Sequence, residues 1–153
     1  MKKLLFLLFF SFLYAYKFVG IGGLYSNNAT DGRGFDFYIG QKVGVNRLYI
    51  NIGFYSYDNN SSIADYSLNY DRFFDNLYLG LGAHQIGIDD SNGDVFGFGL
   101  RIGYLWILNN NWNIDFNIEK IYVNNYRNLF NLFFGAEYKF GDDKWIPDLS
   151  FPY

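Results

Sequence analysis

The strongest constraint on this chain is a period of two. In Asn128–Phe140, NLFNLFFGAEYKF, the residues Phe130, Leu132, Phe134, Ala136, Tyr138 and Phe140 are apolar or aromatic, and Leu129, Asn131, Phe133, Gly135, Glu137 and Lys139 fall between them. Successive side chains of a strand point to opposite faces, so this run predicts a strand with one greasy face and one that turns small, polar and charged. The alternation recurs in Tyr16–Ser26, Gly34–Val43, Arg47–Tyr57, Ile63–Arg72, Leu77–Ile88, Val95–Leu108 and Trp112–Val123. In the third run Leu48, Ile50, Ile52 and Phe54 alternate with Arg47, Tyr49, Asn51 and Gly53. In the sixth, Phe96, Phe98, Leu100, Ile102, Tyr104 and Trp106 alternate with Gly97, Gly99, Arg101 and Gly103. Eight strands of about ten residues are each long enough to cross a bilayer at a tilt. An even number lets a meander begin and end on the same side. The turns after strands two, four and six are short, and the polar connections after the others are generally a little longer.

Composition agrees with strands. Aromatic residues make up 24% of the chain against 18% charged, with 17 Gly and only 2 Pro. A length of 153 residues suits one domain.

The first fifteen residues, MKKLLFLLFFSFLYA, have a different design. A short basic region (Lys2, Lys3), an apolar run (Leu4–Leu13) and a small residue (Ala15) predict a signal peptide cut after Ala15. A retained anchor helix is the alternative, but the run is short for a bilayer span. Cleavage leaves 10 basic and 15 acidic side chains, since two of the 12 Lys and Arg are Lys2 and Lys3. Without a basic patch, nucleic acid is excluded as a partner. The absence of cysteine excludes a disulfide framework, a Cys-based metal site and a lipoprotein anchor. No long apolar run follows residue 15, so a membrane-embedded mature chain has to be a closed barrel.

Alternation alone does not say which face is outside. A soluble lipocalin-like binder would have an apolar interior, and a membrane barrel has the reverse. Three features favour the reverse. The apolar faces are continuous and rich in Phe and Leu. The opposite faces combine Gly with single charges, as a narrow filled lumen requires. Aromatics gather at the strand ends: Tyr104, Trp106, Trp112, Tyr138 and Phe140 at one rim, Tyr25, Phe35, Phe54, Phe96 and Phe130 toward the other. Such rings prefer the membrane interface. The expected architecture is all-β, an eight-stranded antiparallel up-and-down transmembrane β-barrel over residues 16–140.

In this pattern, in the Gly-rich first strand (Val19-Gly20-Ile21-Gly22-Gly23) and in a last strand ending aromatic-x-aromatic (Tyr138-Lys139-Phe140), the chain resembles the small OmpA/OmpX-like outer-membrane barrels. The resemblance covers nearly all of the mature chain. It implies recognition of the last strand by the barrel-assembly machinery, a monomer among outer-membrane lipid, and residence in the outer membrane of a Gram-negative-type cell. Thirteen residues follow the last strand, Gly141–Tyr153. With Pro147 and Pro152 they make a poor strand and read as a short periplasmic tail.

Charges inside so narrow a barrel have to pair. With Asn109–Asn111 as a turn, Leu108 faces Trp112 and Arg101 falls opposite Glu119. Asp115, Glu137, Arg47, Asp36, Lys42 and Lys139 would extend that network. With Phe73–Asn76 as a turn, Asp65 falls opposite His84, with Ser67 one pair away. Ser, His and Asp together invite a hydrolase reading. The lumen is closed to lipid chains, however, and His84-Gln85-Ile86 lacks the His-x-Ser of PagL-type lipid A deacylases. Asp65 and His84 therefore read as a lumen pair. Asp89, Asp90 and Asp94 lack EF-hand spacing and read as a solvated loop. Gly20–Gly23 has no helix after it and is no phosphate loop. Asn28-Ala29-Thr30 is a glycosylation sequon of the kind common by chance. No catalytic, metal or cofactor site is expected. The expected role is non-enzymatic, in envelope integrity or in contact with an unidentified extracellular ligand through short outer loops. A narrow, porin-like pore is the alternative, with a lipid-modifying enzyme behind it.

Overall fold

The computed structural model describes residues 16–27, 31–58, 61–88, 94–124 and 127–140. The signal segment, the sequon, Asp89 and Asp90, and the tail after Phe140 lie outside the described residues. Eight strands run in chain order: β1 (Tyr16–Asn27), β2 (Asp31–Val43), β3 (Asn46–Tyr57), β4 (Ser62–Phe74), β5 (Leu77–Ile88), β6 (Val95–Ile107), β7 (Trp112–Val123) and β8 (Leu129–Phe140). Each pairs antiparallel with the next, and β8 pairs with β1 to close the barrel. Closure removes every sheet edge, so the backbone polar groups of the strands are satisfied within the sheet.

The phase of the alternation is as expected. Val19, Ile21, Phe37, Ile39, Ile50, Leu79, Leu100, Phe116, Phe130 and Phe134 are exposed on the outer surface. Their neighbours in sequence are buried inside. This apolar outer wall is the inverse of a lipocalin-like barrel, and the fold is that of a transmembrane β-barrel.

The closing seam carries two facing glycines. Gly22 and Gly135 face each other across the β1–β8 seam. The Phe133 ring lies over both, where a Cβ on either would strike it. The small pair makes room for a large ring inside the seam.

One turn departs from expectation. Phe73 and Phe74 belong to β4, and the turn is only Asp75-Asn76. Asp75 takes a positive φ of 58°, which short polar residues tolerate best after Gly. A two-residue hairpin loop needs such a conformation. The tighter turn slides the β4–β5 register by two residues. His84 is opposite Ser67, and Asp65 is opposite Ile86. The predicted β6–β7 register holds, with Arg101 opposite Glu119.

The lumen is layered. At the loop end Tyr57, Ile63, Ile86, Ile121, Val123 and Leu129 form a buried apolar layer. Phe73, Tyr78 and Leu105 form a smaller one at the turn end. Buried charges and amides occupy the middle. The Gly and single charges read from the inner faces thus account for the middle of the lumen and not for its two apolar layers. Most of the inward residues near the loop ends of the strands are branched aliphatics, joined by Tyr57.

Two predictions follow from this register. Gly22→Val forces the Phe133 ring and the Phe134 carbonyl to move, and is expected to lower stability by about 1–3 kcal/mol. Gly23→Val meets no atom within 4 Å and leaves the denaturant midpoint in place. Tyr70 and Leu81 are direct partners, so cysteines at both positions are expected to form a disulfide. Cysteines at Leu68 and Leu81 sit on a diagonal of about 7–8 Å, too far for a bond. Non-reducing electrophoresis after limited proteolysis between β4 and β5 distinguishes them.

Candidate functional site in the barrel interior

Arg47 projects inward from β3 and is fully buried. Its Nε donates to Asp71 Oδ2 at 2.8 Å, and its Nη1 donates to Asp115 Oδ2 at 2.9 Å and to Glu137 Oε2 at 3.0 Å. The guanidinium also lies over the rings of Tyr78 and Tyr49, at 4.6 and 5.0 Å from their centroids. Flat, delocalised and weakly hydrated, guanidinium suits such a dry, ring-lined position better than an ammonium would.

Arg101 projects from β6. Its Nη2 donates to Glu119 Oε1 at 2.5 Å and to Asn69 Oδ1 at 2.7 Å. Its Nη1 reaches Asp71 Oδ1 at 3.3 Å and the Tyr49 hydroxyl. Asp71 therefore joins the two arginines. Beyond Glu119 comes His84, whose Nε2 lies 3.3 Å from Glu119 Oε1, an ionic contact with poor hydrogen-bond alignment. His84 Nδ1 lies 2.9 Å from Asp65 Oδ2. The result is one continuous ionic chain, Glu137–Arg47–Asp71–Arg101–Glu119–His84–Asp65, with Asp115 branching from Arg47. It draws on every strand from β3 to β8.

Several neutral groups complete it. The Tyr78 hydroxyl donates to Asp115 Oδ1 at 2.6 Å. Asn113 Nδ2 donates to Glu137 Oε1 at 2.8 Å. The Tyr55 hydroxyl donates to Asp65 Oδ2 at 3.3 Å.

The structure thus brings together Arg101, Glu119, Asp115, Glu137 and Arg47, and the predicted Asp65–His84 pair continues the same chain beyond Glu119. Asp36, expected in the same network, makes none of these ionic contacts. It is buried on β2 with Oδ1 lacking a partner. Lys42 and Lys139 lie at the turn-end mouth instead, Lys42 at 4.0 Å from the Phe73 ring centroid and Lys139 at 5.6 Å from that of Tyr16. Asp71, the hinge of the network, was not singled out from sequence. Its place on the inward face of β4 was legible, and its direct pairing with Arg47 depends on a loop boundary that was not.

The hydrolase geometry is not assembled. Both His84 ring nitrogens face carboxylates, and the Ser67 hydroxyl accepts from Asn69 Nδ2 at 2.8 Å. At the turn-end rim Trp112 and Tyr138 meet edge to face, with ring centroids 4.9 Å apart. Tyr104, Trp106 and Phe140 stand exposed on the same rim.

Residues 4–138 match the family model described as Protein of unknown function (DUF3575). The chain belongs to this family. No curated protein matches it. Among solved structures it is similar to Neisserial surface protein A, with a TM-score of 0.63 and 16% identity over 82% of this chain and 97% of that one. The N-terminal barrel domain of Pseudomonas aeruginosa OprF gives a TM-score of 0.57 and 16% identity, over 82% and 99%. The attachment invasion locus protein Ail of Yersinia pestis gives 0.54 and 13%, over 82% and 99%. At these identities the likeness is one of fold, and this DUF3575 chain has the architecture of the small eight-stranded outer-membrane barrels.

Removing one partner of a buried ion pair strands the other. Arg101→Ala is expected to cost about 3–5 kcal/mol, whereas Asn110→Ala, in the exposed turn, stays within about 0.5 kcal/mol. Equal denaturant midpoints for the two variants would contradict the network.

Proposed function

We propose that this protein is a non-enzymatic outer-membrane β-barrel, exported by its N-terminal signal peptide and contributing to envelope integrity. The observation that carries this reading is the pairing of an apolar outer wall with a filled interior. The wall suits lipid. The interior is occupied by an ionic chain and capped at the loop end by Tyr57, Ile63, Ile86, Ile121, Val123 and Leu129. That layer counts against a water path, and so against the narrow pore. It also counts against an enzyme working through His84, which is 3% exposed beneath it.

The connections at the loop end support integrity over adhesion. Those after β1, β3, β5 and β7 hold three, four, six and five residues, and those after β2, β4 and β6 hold two, two and four. Loops this short offer little surface for a large protein partner. Ail, the attachment invasion locus protein of Yersinia pestis, was solved in complex with the heparin analogue sucrose octasulfate. A comparable surface contact here would have to use the rim itself. The last strand, ending Tyr138-Lys139-Phe140, is the segment we assign to the barrel-assembly machinery, and the barrel is read as a monomer.

The test is electrophoretic and electrical. The protein is expected in the outer-membrane fraction, folded in cold SDS and shifted in mobility on boiling, and without discrete conductance steps in planar bilayers. A water-soluble product with no shift would overturn the assignment. Reproducible single-channel steps would move it to the pore.

A further inference from the structure

Among the described residues, six carboxylates point into the barrel: Asp36, Asp65, Asp71, Asp115, Glu119 and Glu137. Five of them lie within 3.3 Å of an arginine or histidine nitrogen. Asp36 has no such contact. It is 7% exposed, and its Oδ1 has no hydrogen-bond partner. A carboxylate in that state is costly to bury.

Its surroundings share the deficit. The Asn51 Oδ1, the Asn131 Oδ1 and the Tyr38 hydroxyl also lack partners. Asn131 and Tyr38 are more than nine-tenths buried, at 2% and 7% exposed. All four residues line a single internal cavity of about 20 Å³. A space of this size holds one water-sized particle. Gly53 faces Asp36 across the β2–β3 pair, and a Cβ there would strike Asp36 Oδ1. The carboxylate therefore occupies room that only a glycine leaves. Arg101 and Glu119 also border the cavity. The Arg101 donors, however, are committed to Glu119, Asn69, Asp71 and Tyr49. On β2 itself, Arg33 is three residues away on the exposed face, and Lys42, on the inward face, is six residues further on, about 20 Å at the rise of a strand.

We propose that this cavity binds one monovalent hard cation, Na⁺ or K⁺, through Asp36 Oδ1, the amide oxygens of Asn51 and Asn131 and the Tyr38 oxygen. An all-oxygen donor set selects hard cations over the softer transition metals. Of the three carboxylates that border the cavity, Asp115 meets Arg47 and Glu119 meets Arg101, which leaves the single charge of Asp36 for a monovalent ion to match. The cation neutralises the one described interior carboxylate that touches neither an arginine nor His84. The site is a property of the lumen and does not depend on the cellular role proposed above.

The test uses the whole barrel, refolded in detergent. Its unfolding midpoint is measured in NaCl or KCl against N-methyl-D-glucamine chloride at equal ionic strength. The midpoint is expected to rise saturably with the small cation in the native protein. The rise is expected to vanish in Asp36→Asn and to persist in Asp58→Asn, an exposed position. Equal midpoints in the two salts, or an equal rise in Asp36→Asn, would overturn the proposal. Crystals grown with Tl⁺ in place of K⁺ give an independent reading. An anomalous peak in contact with Asp36 supports the site, and an ordered water only, or a protonated carboxyl seen by infrared and lost in Asp36→Asn, overturns it.

Discussion

Everything in this barrel depends on the contact between Arg47, Asp71 and Arg101. A bore of eight strands has just enough interior for side chains, so each inward charge loses most of its water. Charges taken out of water are tolerated only when paired and hydrogen-bonded. Asp71 meets both guanidiniums and turns two clusters into one chain that touches six of the eight strands. Such a chain ties together elements whose backbones are already joined by hydrogen bonds. It acts on specificity, because a slip of one residue in any strand would turn its charges onto the lipid-facing wall.

The layers along the bore follow from the same constraint. The ionic chain lies between two apolar layers. Branched aliphatics close the loop end and aromatic rings crowd the turn end. The charges are thereby shielded at both mouths, which raises the cost of breaking any one pair and lowers the scope for flow or catalysis. Glycine marks the places where large groups fold inward, as with Phe133 over the Gly22–Gly135 seam.

Much of this was legible in the sequence, for a definite reason. A side-chain period of two survives any change of neighbours, so strand number, faces and outward aromatics could be read from Phe130-x-Leu132-x-Phe134 and its equivalents. Register was legible only where turn chemistry was plain. The Asn109–Asn111 turn correctly set Arg101 against Glu119. Phe73-Phe74-Asp75-Asn76 carries no glycine, and its turn was drawn two residues too long, so Asp65 was set against His84 in place of Ser67. The two side chains still meet, because their reach spans the diagonal. Ending the β3–β4 loop at Ser62 likewise sets Arg47 against Phe73 and hides its partner Asp71. The apolar cap was missed because Ile86, Ile121 and Val123 lie at strand ends, where alternation has too few neighbours to declare a face. Asp36 was read as a network member from its inward phase alone. Phase gives the face of a strand but not the distance around the bore.

The central claim is the polarity of the wall, apolar outside and charged within. The natural chain has no cysteine, so single nitroxide labels can be placed in turn along β2 from Phe35 to Gln41. Accessibility to oxygen, which partitions into lipid, is measured against a water-soluble nickel chelate in lipid nanodiscs. High oxygen accessibility at Phe35, Phe37 and Ile39 and protection from both reagents at Asp36 and Tyr38 is the predicted result. The opposite phase, or chelate access at the outward positions, would contradict the account.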